Sequence, residues 1–339
     1  MPDTEHRSVA AYWNQLLKPY ARAHGGKASW QIASTAALYA LAWSLAYLGL
    51  EVSWVLTLAL TLPAAGLLVR LFIIQHDCGH GSFFRSRRAN DILGSVIGVF
   101  MLTPYQYWRR THAIHHATSG DLDHRGFGDI KTLTVKEYLA LSRWGRLKYR
   151  LYRNLFVLLV LAPAWQFIVK HRFPWDIPLR WRKEWTSVAW TNVAVIALVV
   201  TGGLTLGWKS FLLVQLPITT IAGAIGLWLF YVQHQFEDTY WREHSEWSFH
   251  RAGIEGSSYY DLPGWLHWFT GNIGYHHVHH LASRIPNYRL RECFREVKEL
   301  HHVTRLRLWE SLRCARYKLW DEDRQRLIGF RPLRRLQSA

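Results

Sequence analysis

Six apolar stretches interrupt an otherwise polar and basic chain, and their lengths separate them into two kinds. Ile32 to Leu50 and Trp54 to Ile74 are close to the roughly 20 residues a helix needs to cross hydrocarbon. So are Val188 to Leu206 and Phe211 to Val232. Asp91 to Thr103 and Asn154 to Val169 are shorter, and the second carries Pro163. These two predict segments that lie in the membrane interface or dip into it. The pattern therefore predicts four spans, at about 32–50, 54–74, 188–206 and 211–232.

Charge sets the expected orientation. Arg7, Lys18, Arg22 and Lys27 precede the first span, whereas the turn Gly49-Leu-Glu-Val-Ser has no Lys or Arg. Positive flanks favour the cytoplasm, so this turn is expected outside and both termini inside. Asn154 to Val169 has Arg143, Arg146, Lys148, Arg150 and Arg153 before it and Lys170, Arg172, Arg180, Arg182 and Lys183 after it. With both flanks inside, this stretch does not cross. Arg70 lies about one turn from the inner end of its span, where it is expected to snorkel. The polar remainder, 76–153 and 237–339, is expected to form a cytoplasmic cap, with the whole chain, 1–339, as one domain. Past Leu290 the periodicity predicts a basic helical tail.

Lys and Arg total 41 against 24 Asp and Glu. The basic residues flank apolar helices and form no nucleic-acid motif, so attraction to anionic headgroups explains them and no nucleic-acid partner is expected. Cys78, Cys293 and Cys314 are scattered and suggest no disulfide framework. The N-terminus mixes charges and lacks an apolar signal core, so no cleaved signal peptide is expected.

The chemistry sits just beyond the apolar runs. Three clusters read His76-Asp-Cys-Gly-His80, His112-Ala-Ile-His115-His116 and His276-His277-Val-His279-His280. Residues three or four apart share a helix face, and imidazole is the commonest metal ligand. The HxxHH spacing lets neighbouring histidines serve two neighbouring metals. His234, at the inner end of the last span, lies at the same depth and makes a ninth ligand; His277 breaks the spacing. A closed zinc site needs four ligands and usually thiolates, and there is neither a thiolate set nor HExxH. Two irons on imidazoles fit best and suit oxygen chemistry. Ligating histidines commonly donate to carboxylates, so Asp77, Asp121, Asp123, Glu237 and Asp261 are expected behind them, with His277. Asp129 and Asp238 lie in the same stretches, and His124 is a further candidate. Trp108, Trp265, Trp268 and Tyr275 are candidates to line a substrate tunnel.

At these residues the chain resembles the membrane fatty acid desaturases, nearest to the bacterial and plastid acyl-lipid desaturases of the omega-6, delta-12 type. The likeness rests on HDCGHGSFF (76–84), WRRTHAIHHATSGDLD (108–123), NIGYHHVHHLASRIPNYRL (272–290) and FYVQHQFEDTYW (230–241). It implies an all-α integral membrane fold, with four transmembrane helices, interfacial helices and a cytoplasmic cap holding a histidine-rich di-iron site. It also implies O2 as co-substrate, removal of two vicinal hydrogens to leave a cis double bond, a lipid-linked acyl substrate, and a bacterial inner-membrane location. One iron would take His76, His116, His276 and His280; the other His80, His112, His115, His234 and His279. In the animal acyl-CoA desaturases an Asn four residues before the extra histidine holds an iron-bound water; Phe230 stands there in this chain, and the likeness does not carry that ligand. No cytochrome b5-like or flavin motif is seen, so two electrons are expected from a separate donor, a ferredoxin. Histidine clusters alone do not separate desaturation from hydroxylation, epoxidation or carotenoid oxygenation. A metal transporter is the remote alternative.

Overall fold

The computed structural model describes residues 2–331 and Leu333. The N-terminal α1 (Pro2–Leu17) precedes two long antiparallel helices, α2 (Gly25–Leu48) and α3 (Trp54–His80). Ser53 caps the start of α3 by accepting from the backbone N–H of Leu56. Next come α4 (Arg87–Phe100), α5 (Tyr105–Thr118), the two-residue strand β1 (Leu133–Thr134), α6 (Val135–Ala140) and α7 (Arg143–Tyr152). The short α8 (Ala162–Ala164) sits between π-helical stretches at Val157–Leu161 and Trp165–Lys170. This assembly bends by 63° from α7. A second long pair, α9 (Arg182–Leu206) and α10 (Trp208–His234), is followed by α11 (Phe249–Glu255), β2 (Tyr259–Asp261), α12 (Gly264–Phe269), α13 (His276–Leu281) and α14 (Asn287–Glu296). Strands β3 (Arg305–Arg307), β4 (Leu319–Asp321) and β5 (Arg326–Ile328) complete two small sheets, β1-β4-β5 and β2-β3.

Among the described residues, four helices are long and apolar enough to cross a membrane: residues 25–51, 54–80, 182–206 and 208–234. All overlap the predicted spans, and all four run further at their basic or histidine-bearing ends. At 1.5 Å per residue, the 27 residues of α3 and of α10 measure about 40 Å, against roughly 30 Å of hydrocarbon. About 10 Å therefore projects beyond the membrane core, and His76, His80 and His234 occupy the final turns. α3 is the central post: 61% of its apolar window is buried, against 22% for α2 and α9 and 28% for α10. The others present bulky apolar side chains such as Leu41, Val193, Ile196 and Leu213 outward, which suits lipid rather than water.

Two sequence expectations change. Arg70 does not snorkel; it is buried, its Nε donates to Thr35 at 3.1 Å, and its guanidinium lies 4.3 Å from the Trp268 ring while bonding that residue's carbonyl. Because α12 packs against α3, a partner lies nearer than the headgroups. The tail past Leu290 is helical only to Glu296, then turns through 3-10 segments and the short strands. Its apolar positions fill the sheet β1-β4-β5, where Leu319, Trp320 and Leu327 are fully buried.

An apolar cavity of about 720 Å³ opens between α2, α4, α9, α10 and the π-helical segment. Leu71, five residues before His76 on α3, belongs to its wall, which is about 7.5 Å along the helix from that histidine.

Candidate metal centre

Local geometry aims the histidines before any tertiary contact forms. The i, i+4 spacing stacks His76 over His80 on α3 and His112 over His116 on α5. Gly81 then takes φ +67°, a conformation that costs a Cβ-bearing residue, and ends α3 directly after His80. Tyr105 holds α5 beside α3: its hydroxyl donates to the Cys78 carbonyl at 2.7 Å. The short helix α13 supplies His276, His279 and His280. It is held through the following turn, where Asp77 Oδ2 accepts from the backbone N–H of Asn287 at 2.6 Å and from its side-chain amide at 2.9 Å.

Nine histidines converge into two groups: His76, His80, His112, His116 and His279, and His115, His234, His276 and His280. Within each group the candidate ligand atoms lie within 4.8 Å of one another. The groups adjoin, with the His116 and His280 rings stacked at 4.1 Å. This grouping differs from the one the resemblance implies. Helical stacking keeps both residues of an i, i+4 pair together, so His76 joins His80, and His116 joins His112. His115 is turned about 100° away and faces α10 and α13 instead.

The histidines are poised as ligands. Burial, reinforced by neighbouring imidazoles, pushes His112, His116, His276, His279 and His280 well below their usual value, so they are neutral, the form that binds metal. Ring nitrogens carried by different helices converge. His279 Nε2 lies 2.9 Å from His116 Nε2, and His276 Nε2 lies 2.9 Å from His234 Nε2. Nε2 of His80, His115 and His280 is buried with no hydrogen-bond partner among the described residues. At about 1–3 kcal/mol each, three such atoms cost about 3–9 kcal/mol, a large part of the stability of a typical domain. A bound cation pair removes that cost, and the all-nitrogen donor set fits iron.

Backing groups fix the rings. His76 Nδ1 donates to Asp77 Oδ1 at 3.2 Å, His234 Nδ1 donates to the Gly256 carbonyl at 3.0 Å, and His115 Nδ1 bonds Asp129 Oδ1. Each leaves Nε2 for a metal. Asp129, one of the acids near the second cluster, is the one that bonds His115. Asp121 instead holds His124 and His244, and Asp123 accepts from the His244 backbone N–H. Glu237 accepts from the Tyr317 hydroxyl at 2.8 Å, and Asp261 pairs with Arg305 across the β2-β3 sheet. His277 turns away to lie edge-on to Phe294. Asp121, Asp123, Glu237 and Asp261 each bond a loop or strand of the cap instead.

The aromatic candidates also separate. Trp108 stacks on His112 at 4.6 Å, and Phe72 packs edge-on against it. Tyr275 stacks against both Tyr259 and His267; Trp265 is largely exposed, and Trp268 carries Arg70. None of the four lines the 720 Å³ cavity. Phe230 packs on His115 and His234 at 5.0 and 5.3 Å, so no side-chain donor stands at that position. Beside it lies a small cavity of about 20 Å³, enough for one water, whose walls include Asp129, His234, Ser119, Gly120, Tyr240 and Trp241.

Residues 51–311 match the family model described as fatty acid desaturase. A protein named "Fatty acid desaturase" from Bacillus subtilis (strain 168) is 51% identical over 294 residues, covering 87% of this chain and 83% of that protein. An "sn-1 oleoyl-lipid 12-desaturase" from Anabaena variabilis is 27% identical, over 86% and 82% of the two chains. An "sn-1 acyl-lipid omega-3 desaturase (ferredoxin)" from Nostoc sp. (strain 36) is 25% identical, over 71% and 68%.

Proposed function

This chain belongs to the fatty acid desaturase family and is an integral membrane oxidoreductase, and we propose that it places a cis double bond in an acyl chain carried on a membrane lipid. The bond position we propose is of the omega-6, delta-12 type. The observation that carries this reading is the pair of histidine groups at the inner ends of the spans, about 7.5 Å along α3 from an apolar cavity between the membrane helices. A lipid-linked chain reaches such a cavity sideways from the bilayer.

His76, His80, His112, His116 and His279 would hold one non-haem iron, and His115, His234, His276 and His280 the other. Iron with O2 supplies the oxidising power needed for an unactivated methylene C–H, which no side-chain base can deprotonate. In balance, two vicinal hydrogens leave the chain, two further electrons and two protons arrive, and O2 ends as two waters. The protein's part is positioning. Asp77, Asp129 and the Gly256 carbonyl orient three of the rings, Trp108 backs His112, and the apolar wall excludes water from the reacting carbons. The electron donor in this reading is a separate ferredoxin, as the name of the Nostoc relative states for that protein. The location proposed is a bacterial inner membrane, with the cap and both termini cytoplasmic.

Expression in a host of defined lipid composition, followed by mass spectrometry that locates new double bonds, tests the proposal. A product lighter by two hydrogens is expected, and His115→Ala should abolish it and lower bound iron. A product heavier by one oxygen would replace desaturation with hydroxylation or epoxidation.

A further inference from the structure

A second constellation of metal-binding groups lies apart from the nine histidines. Asp121 is almost fully buried, at 1% exposure, and its Oδ2 receives two imidazoles at once: His124 Nδ1 at 2.8 Å and His244 Nδ1 at 2.7 Å. The other oxygen, Oδ1, accepts the backbone N–H of Asp123 at 2.9 Å. The two rings stand 4.6 Å apart at 73°, so both Nδ1 atoms approach from different directions while the outer ring edges face solvent. Two nitrogens and one carboxylate oxygen, all within 4.8 Å of one another, form a two-histidine, one-carboxylate set.

We propose that Asp121, His124 and His244 bind a single divalent first-row transition ion that clips the 119–128 loop to the 241–248 loop. Ligands of a tetrahedral zinc-like ion sit about 2.0–2.2 Å from it, and hence roughly 3.3 Å from one another. The present separations of 2.7 and 2.8 Å need to open by only about half an ångström, with both imidazoles deprotonated at Nδ1. The fourth position faces solvent and takes water. Nitrogen and oxygen donors without a thiolate favour zinc, cobalt or nickel.

The site joins segments that already meet. Leu122 N–H donates to the Arg242 carbonyl at 2.8 Å, Arg242 N–H to the Gly120 carbonyl at 2.9 Å, and Trp247 Nε1 to the Ser119 carbonyl at 2.9 Å. His244 N–H adds a bond to Asp123 Oδ2 at 2.9 Å. Ser119 and Gly120 from one loop and Tyr240 and Trp241 beside the other form part of the wall of the 20 Å³ cavity next to His234 and Asp129. An ion here crosslinks that wall.

The test uses iron-loaded protein purified without a histidine tag and titrated with Co2+ alone, following visible absorption, bound cobalt and released iron together. The parent chain should bind one additional cobalt with no iron released and should gain thermal stability. His124→Ala, His124→Gln, His244→Ala and His244→Gln should each weaken that binding at least tenfold while keeping the parent's iron content, which shows that they fold. No additional cobalt in the parent, uptake matched by iron release, or unchanged uptake in all four variants would overturn the proposal.

Discussion

His115 and Asp129 are 14 residues apart, yet they form one of the bonds on which the second histidine group depends. Gly126 and Gly128, at φ +100° and +79°, fold the intervening loop back. A Cβ on Gly128 would lie 3.0 Å from the Thr111 carbonyl oxygen and 3.3 Å from His115 Cβ, so the close approach needs glycine. Nothing in local spacing announces this. The histidines were legible because helical periodicity puts i and i+4 on one face, a rule that needs no tertiary information. Their carboxylate partners were not, because loop paths choose among acids at similar distances: Asp77 bonds its neighbour His76, whereas Asp121, Asp123, Glu237 and Asp261 bond other groups of the cap. Asp129→Asn removes the charge that orients His115 and should weaken iron binding about 10- to 100-fold in a chelator competition. Asp123→Asn should leave it unchanged, and equal losses in the two variants would contradict the assignment.

At the scale of elements, the site depends on how α5 is held against α3. A Cβ on Gly94 of α4 would come within 2.2 Å of the Tyr105 ring, whose hydroxyl fixes α5 to Cys78 and also reaches Asp91. Gly94→Ala should therefore displace Tyr105 and cost about 1–3 kcal/mol, with loss of iron as well as a lower melting temperature. A variant that melts earlier but keeps its iron would show that α4 does not set the histidine spacing. The cap carries a separate strain. Lys318 donates to the Arg153 carbonyl at 2.7 Å, and burial, with Arg153 alongside, pushes its ammonium down from 10.5 to about 8. Between those values the unfolded chain binds more protons than the folded one, so stability rises with pH across that window. Relative to Lys318→Met, the parent's melting temperature should climb from pH 8 towards 10.5; a constant difference would contradict the burial argument. The sheet holding Lys318 escaped the sequence reading because its strands are only two or three residues long, too short for alternation to show.

For the whole molecule, the spans were legible because hydrocarbon demands long apolar helices. The elongated ends were legible in part: the i, i+4 spacing of His76 and His80 reads as a helical extension of the second span, and α3 and α10 run on to His80 and His234. Orientation follows from charge and is tested by cysteine substitution at Glu51 and Arg180. A membrane-impermeant reagent should modify Glu51→Cys in intact cells and spare Arg180→Cys; the reverse would place the cap outside. Above all, the account claims that nine histidines hold two irons in two adjoining groups. Iron per chain, counted after a chelator wash that strips exposed ions, tests this directly in the parent, in His80→Ala/His112→Ala and in His234→Ala/His276→Ala. Two irons are expected in the parent and at least one fewer in either variant, whereas two irons retained in both variants would contradict the account.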